Sequence, residues 1–186
     1  IAKTPDDIHA VRIAAGEADL VLGCDMVVVN DYWALSKIRA DRSHVVLNDY
    51  QAMPGTFTRN TDLQFPAKDI VAAVSTALGG REPLQIAGTE LALALMGDAI
   101  ATNLLMLGYA WQQGLVPLSF ESIMRAVELN GAAVAMNKKA FALGRLAAVD
   151  PEGVNAAAGK GSSVQAADFL GNAHSATELA FVGEGK

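Results

Sequence analysis

Two short polar clusters close apolar runs near the start of this chain. Cys24-Asp25 follows Ala18-Asp19-Leu20-Val21-Leu22-Gly23, and Asn48-Asp49 follows His44-Val45-Val46-Leu47. Open parallel sheets take ligands beyond the carboxyl ends of their strands. Asp25 and Asn48 are therefore ligand candidates, since short polar side chains there can hydrogen-bond a hydroxyl or an amide. The plainer alternative is that they cap the next helix or satisfy loop backbone. Cys24 has no histidine near it in sequence to activate it as a nucleophile, and reads as a small buried hydrophobe.

Asn103, Asn130 and Asn137 lie on or beside strongly apolar helical stretches. A buried asparagine must find hydrogen-bond partners. Asn103 and Asn137 are therefore further ligand candidates, against the alternative of a network that fixes helix register. The phosphate-cradling patterns G-x-G-x-x-G and G-x-x-x-x-G-K-[ST] are absent. Gly159-Lys160-Gly161-Ser162-Ser163 follows no strand and reads as linker. His9, His44 and His174 lie far apart with no metal-ligand spacing, and no paired acid/base constellation stands out. The catalytic residues are thus unassigned, and no metal is expected in this chain.

The elements that must position these residues begin as α/β. A short strand is expected at Val11-Arg12-Ile13 and a buried strand over Ala18–Cys24, because a continuous apolar run marks burial on both faces. A helix is expected over about Asn30 to Arg39, and a second buried strand at His44–Asn48. Two such strands with a helix between them predict a right-handed parallel unit. The stretch from Asp49 to Phe65, with Pro54, Gly55, Asn60 and Asp62, reads as a turn-rich connection. After Pro66, the residues Ile70, Val71, Val74 and Leu78 share a helix face that Gly79-Gly80 ends.

The second half reads as helical. Thr89 is placed to cap a helix that runs from Leu91 to Trp111 and ends at Gly114. Gly97, Ala101 and Gly108 form a small-residue stripe on it, and are interface candidates where another helix or subunit approaches. Ser119 is placed to cap the next helix, with Glu121 in its first turn and Phe120, Ile123, Met124 and Val127 on one face. Glu121 and Arg125 have i,i+4 spacing, and Gly131 ends that helix. A last long helix is expected over Ala133–Val149. Asp150-Pro151-Glu152-Gly153 reads as a turn. Residues 150–186 read as an Ala/Gly/Ser-rich linker or appended arm with one short helix near Val164–Leu170, leaving 1–149 as the α/β domain.

Composition narrows the function classes. The 186 residues are 52% hydrophobic, 6% aromatic and 18% charged, and 34 of them are alanine. That excludes an intrinsically disordered chain and points to a core of aliphatic and small side chains. The net charge is −6 with no Lys/Arg block, so no nucleic-acid footprint is expected. The single cysteine, Cys24, cannot form an internal disulfide or a multi-thiolate cluster, and fits a reducing cytoplasm. The uncharged stretch Ala99–Phe120 is interrupted by polar residues, Gly114 and Pro117, so a buried helix is expected, not a membrane span. With no charged n-region followed by an apolar h-region, no signal peptide is expected, and the start at Ile1 suggests a piece of something longer.

Longer blocks carry a family resemblance. Residues 14–25, AAGEADLVLGCD, then Phe57-Thr58-Arg59-Asn60, then residues 97–112, GDAIATNLLMLGYAWQ, and finally Ala126-Val127-Glu128-Leu129-Asn130-Gly131 with Ala135-Met136-Asn137 and Ala140-Phe141 resemble the gamma domain of 2-oxoacid:ferredoxin oxidoreductases. They look most like the fused bacterial indolepyruvate ferredoxin oxidoreductases. The resemblance covers roughly residues 7–149.

The resemblance implies a Rossmann-like α/β fold with a parallel sheet, incomplete at its N-terminus, and a helical C-terminal half. It implies a parent enzyme that oxidatively decarboxylates an arylpyruvate to an acyl-CoA and passes electrons to ferredoxin. Thiamine diphosphate and iron–sulfur clusters would sit in other domains, with no cofactor bound by this chain. Partners would be those domains or subunits, ferredoxin through the parent, and coenzyme A, in a homo-oligomer. The glycine-rich strand–turn–helix that normally opens the gamma domain is missing here; it lies before Ile1 or has been lost. On this reading the chain assists assembly or completes the coenzyme A site, and is not catalytic alone. The competing readings are a stand-alone nucleotide- or CoA-binding module and a structural helical interaction domain.

Overall fold

The computed structural model describes residues 12–50 and 66–159. The chain forms two compact units, residues 1–85 and 86–186. Among the described residues the fold is α/β with a helical second half, as the sequence leads one to expect.

In the first unit, β1 (Leu20–Gly23) and β2 (His44–Asn48) run parallel, in register from Leu20 opposite His44 to Gly23 opposite Leu47. A third strand, β3 (Leu84–Ile86), completes the order β1-β2-β3. β3 was not expected, because three residues after Pro83 carry too little periodicity to stand out. Between β1 and β2 the helix expected over about Asn30 to Arg39 is only a single turn, α2 (Tyr32–Leu35), and an unexpected one-turn helix, α1 (Met26–Val29), precedes it. The cause is local. Asp25 and Asp31 each turn a carboxylate onto the backbone N–H two residues on, Val27 and Trp33, and each starts a separate short turn. Arg12 and Ile13 are not in a strand; Val11 lies outside the described residues.

α3 (Ala67–Ala77) packs Ile70 and Val74 onto a core with Met26, Val29, Val45, Leu47 and Leu78. Gly79 and Gly80, both at positive φ, turn the chain out of it as expected. The entry to β2 is held from several sides. Ser43 Oγ donates to Ala18 O at 2.6 Å, and Arg81 Nη2 donates to Ala40 O and Ser43 O at 2.7 and 2.8 Å. Arg42 bridges Glu17 and Asp19 at 2.7 and 2.6 Å.

In the second unit, the long helix expected over Leu91–Trp111 is broken. α4 (Gly88–Met96) ends at Gly97, which takes the left-handed conformation at φ 77°. Asp98 then caps a 3₁₀ turn at 99–101 by accepting from Ile100 N–H at 2.9 Å, and α5 (Thr102–Gln112) follows. A glycine that can leave the helix, followed by an aspartate that can start one, outweighs a continuous apolar pattern. Thr89 is not the cap: α4 already includes it, and its hydroxyl lies 3.3 Å from that of Thr102.

α6 (Phe120–Asn130) has the expected Ser119 cap, donated to by Ser122 N–H, and the expected Gly131 terminus. Glu121 does not pair with Arg125. Arg125 turns to Glu128, which Lys138 also reaches at 2.7 Å. α7 (Val134–Val149) crosses α5 closely enough that a Cβ on Gly108 would lie 2.8 Å from Phe141 C, and one on Gly144 2.7 Å from Leu105 C. The residues at that crossing, Leu105, Met106, Ala140 and Phe141, are sealed from solvent. The supposed turn at 150–153 is instead the start of α8 (Pro151–Gly159), whose Val154 is fully buried. Proline at the first helical position and Asp150 accepting from Gly153 N–H at 2.9 Å explain the difference. No helix among the described residues is long and apolar enough to cross a membrane. Phe57–Asn60, the stretch beyond Gly159 and the helix read at 164–170 lie outside the described residues.

Candidate functional site

The carboxyl ends of β1 and β2 lie side by side because the strands are parallel and in register. Asn48 is buried there, and its Nδ2 donates to Cys24 O at 3.0 Å, clipping the two strand ends together. Asp25 is exposed and its Oδ1 accepts from Val27 N–H at 2.8 Å. Both candidates thus hold backbone. Cys24 is half-buried, and burial pushes its thiol pKa up. A nucleophilic or metal-binding cysteine needs the opposite shift.

Beside these strand ends a cleft of about 580 Å³ opens along α3. Its apolar floor includes Met26, Ala67, Val71 and Ala72, and its polar border includes Asp49, Lys68, Ser75, Glu82 and Gln85. α3 thereby serves both: Ile70 and Val74 go to the core, Val71 packs against that core and also lines the cleft, and Lys68 and Ser75 go to the cleft. Ser75 Oγ lies 3.4 Å from Glu82 Oε1. Thr76, also on the cleft, spends its hydroxyl on Ala72 O at 2.8 Å. An apolar floor with a few charged and hydroxyl groups at its border suits a small amphipathic ligand.

Sequence reasoning reached the neighbourhood of this cleft through Asp25 and Asn48 but missed Lys68, Ser75 and Glu82. A signal existed: Lys68 sits in the first helical turn, where a cation is disfavoured by the helix dipole. Nothing in the sequence places Glu82 against Ser75.

The other candidates belong to the second unit. Asn103 and Asn130 are exposed, so neither forms the buried network considered for them. Asn137 is half-buried and its Nδ2 donates to Ala132 O at 2.9 Å, supporting the unusual left-handed Ala133 before α7. Of the small-residue stripe, Gly97 is a helix terminus with open space around its Cβ position, Ala101 is buried, and Gly108 faces α7 of this chain. Among the described residues the most buried ionic group is Arg145. Its Nε donates to Gln112 Oε1 at 2.9 Å, and its guanidinium lies 4.9 Å from the Trp111 ring centre and 5.3 Å from that of Phe120. Burial pulls its pKa down.

An α/β unit with a cleft at its strand ends and an apolar helical unit do not by themselves define a chemistry. The family follows from comparison with known proteins. A model for the pyruvate ferredoxin/flavodoxin oxidoreductases matches residues 1–147, and the chain belongs to that family. Comparison with curated proteins gives no match, and comparison with solved structures gives none.

The family works as oxidoreductases on 2-oxoacids with ferredoxin, thiamine diphosphate and iron–sulfur partners. The donor set of this chain does not fit a cluster, since one cysteine cannot supply the usual four thiolates. Among the described residues no group of three His, Cys, Asp or Glu side chains converges as a metal site.

Proposed function

We propose that this chain is a gamma-type domain of an indolepyruvate-type oxidoreductase. The parent oxidatively decarboxylates an arylpyruvate to an acyl-CoA in a reducing cytoplasm. The chain packs against the catalytic domains of a homo-oligomeric enzyme and helps complete the coenzyme A site. The family match over residues 1–147 carries the class. The arylpyruvate assignment rests on the resemblance of the blocks at 14–25, 97–112 and 126–141.

The coenzyme A contact is placed at the cleft along α3. Its apolar floor suits a thioester arm, and Lys68 supplies a cation for phosphate. Asp25 and Asn48 act there as positioning residues, because they fix the strand ends that border the cleft. The test uses the assembled enzyme and follows ferredoxin reduction. Indolepyruvate should support faster turnover than pyruvate. Lys68→Glu should raise the KM for coenzyme A about tenfold or more, as expected for loss of one charge-assisted phosphate contact, with kcat and assembly retained. Preference for pyruvate would refute the substrate. An unchanged KM would refute the cleft and leave assembly as the domain's role.

A further inference from the structure

The cleft along α3 is polar at both ends and apolar between them. Lys68 stands in the first turn of α3 and Ser75 in its last. Their spacing in sequence brings both to one side of the helix, within about 20° of two full turns, and sets them about 10 Å apart along its axis. Val71 and Ala72 lie between them and form the floor.

The two ends differ in chemistry. Among the described residues that line the cleft, Lys68 is the one cation. At the other end Ser75 Oγ lies 3.4 Å from Glu82 Oε1, long for an O–H···O bond and readily exchanged for a ligand group. Thr76 adds nothing there, because its hydroxyl is spent on Ala72 O. A carboxylate accepts hydrogen bonds and donates none, whereas a hydroxyl and the Gln85 amide do both. Glu82 therefore takes an N–H and repels a phosphate, while Ser75 and Gln85 donate to a carbonyl. An amide carries both of those groups.

We infer that Ser75 and Glu82 recognise the amides of the pantetheine arm, that the phosphates lie at Lys68, and that coenzyme A is thereby held in one direction along α3. The inference rests on the reading of this cleft as the coenzyme A contact and deepens it. A ligand carrying phosphate along its whole length would meet the Glu82 carboxylate, and one without charge would leave Lys68 unused. Coenzyme A has its charge at one end and an uncharged amide arm with methylene and methyl groups at the other, which matches the order cation, apolar floor, carboxylate and hydroxyl.

Two fragments of the ligand test this on the assembled oxidoreductase, as competitors of coenzyme A in ferredoxin reduction. Adenosine 3′,5′-bisphosphate carries phosphates without the arm, and pantetheine carries the arm without phosphates. Lys68→Glu should weaken inhibition by the bisphosphate about tenfold, the loss of one charge-assisted contact, and leave that by pantetheine unchanged. Glu82→Ala should do the reverse by a similar factor, and Ser75→Ala should act in the same direction as Glu82→Ala. Lys68 and Glu82 are exposed and Ser75 is half-buried, so assembly and melting temperature should hold. A bisphosphate that responds to Lys68→Glu beside a pantetheine that ignores Glu82→Ala, or does not inhibit at all, overturns the inference and leaves the cleft standing. Pantetheine responding to Lys68→Glu and the bisphosphate to Glu82→Ala also overturns it, since the ligand then runs the other way. If neither fragment responds to any of the three changes, the cleft itself is refuted and the inference falls with it.

Discussion

Replacing Gly144 with alanine tests the packing of the helical unit more sharply than any other single change. In an isolated helix the substitution is favourable by about 1 kcal/mol, because alanine loses less backbone freedom. Here the new methyl would fall within van der Waals contact of Leu105 O, and lie 2.7 Å from Leu105 C and 2.8 Å from Tyr109 N. Those atoms are backbone of α5, so no rotamer change relieves the contact and the helices must move apart. Overpacking of this kind costs about 1–3 kcal/mol, and a rigid backbone contact belongs at the upper end. The net expectation is a loss of ~2 kcal/mol after the propensity gain. For a unit of this size that lowers Tm by roughly 8–16 °C.

Urea and thermal melts followed by circular dichroism would read it, with a lower midpoint and an unchanged slope. Gly108→Ala, which meets the Phe141 backbone, should behave alike. Gly159→Ala, with open space around it, should be neutral or slightly stabilising. An increase in stability for Gly144→Ala would refute the close crossing of α5 and α7.

Three further expectations follow from local chemistry. Burial raises the Cys24 pKa, so its alkylation by iodoacetamide should have a pH midpoint above that of a free cysteine; a midpoint below it would revive the nucleophile reading. Asp98→Ala and Ser119→Ala remove caps on Ile100 and Ser122 N–H groups and should each cost about 1 kcal/mol in chemical denaturation. The Asp19 carboxyl is held below its usual range by the Arg42 hydrogen bond, and that of Glu128 by Lys138 and then Arg125. A depressed folded pKa adds stability above the unfolded value, which is lost as pH falls through the folded one. Melting temperature should therefore hold from about pH 7 to 5 and decline below about pH 4, with a shallower decline in Arg42→Ala and Lys138→Ala.

Much of this was legible in the residues themselves. The β-branched and aliphatic runs before Cys24 and Asn48 marked two strands of a parallel sheet, because a strand covered on both faces must be apolar at every position. Ser119, Gly131 and the Gly79-Gly80 pair marked helix ends, because capping and left-handed termini depend on neighbours in sequence. Where two local signals competed, the apolar pattern misled: Gly97-Asp98 broke a helix read as continuous, and the helix read over about Asn30 to Arg39 came down to the single turn that Asp31 starts. Tertiary structure alone decided which face each small residue meets. Gly108 lies against Phe141 and Gly144 against Leu105, pairs more than thirty residues apart, and no local pattern encodes such a crossing. It also turned α3 so that Lys68 and Ser75 border a cleft with Glu82, and committed Asp25 and Asn48 to the backbone. A residue type defines which hydrogen bonds a side chain can make; only the packed chain determines which of them are taken.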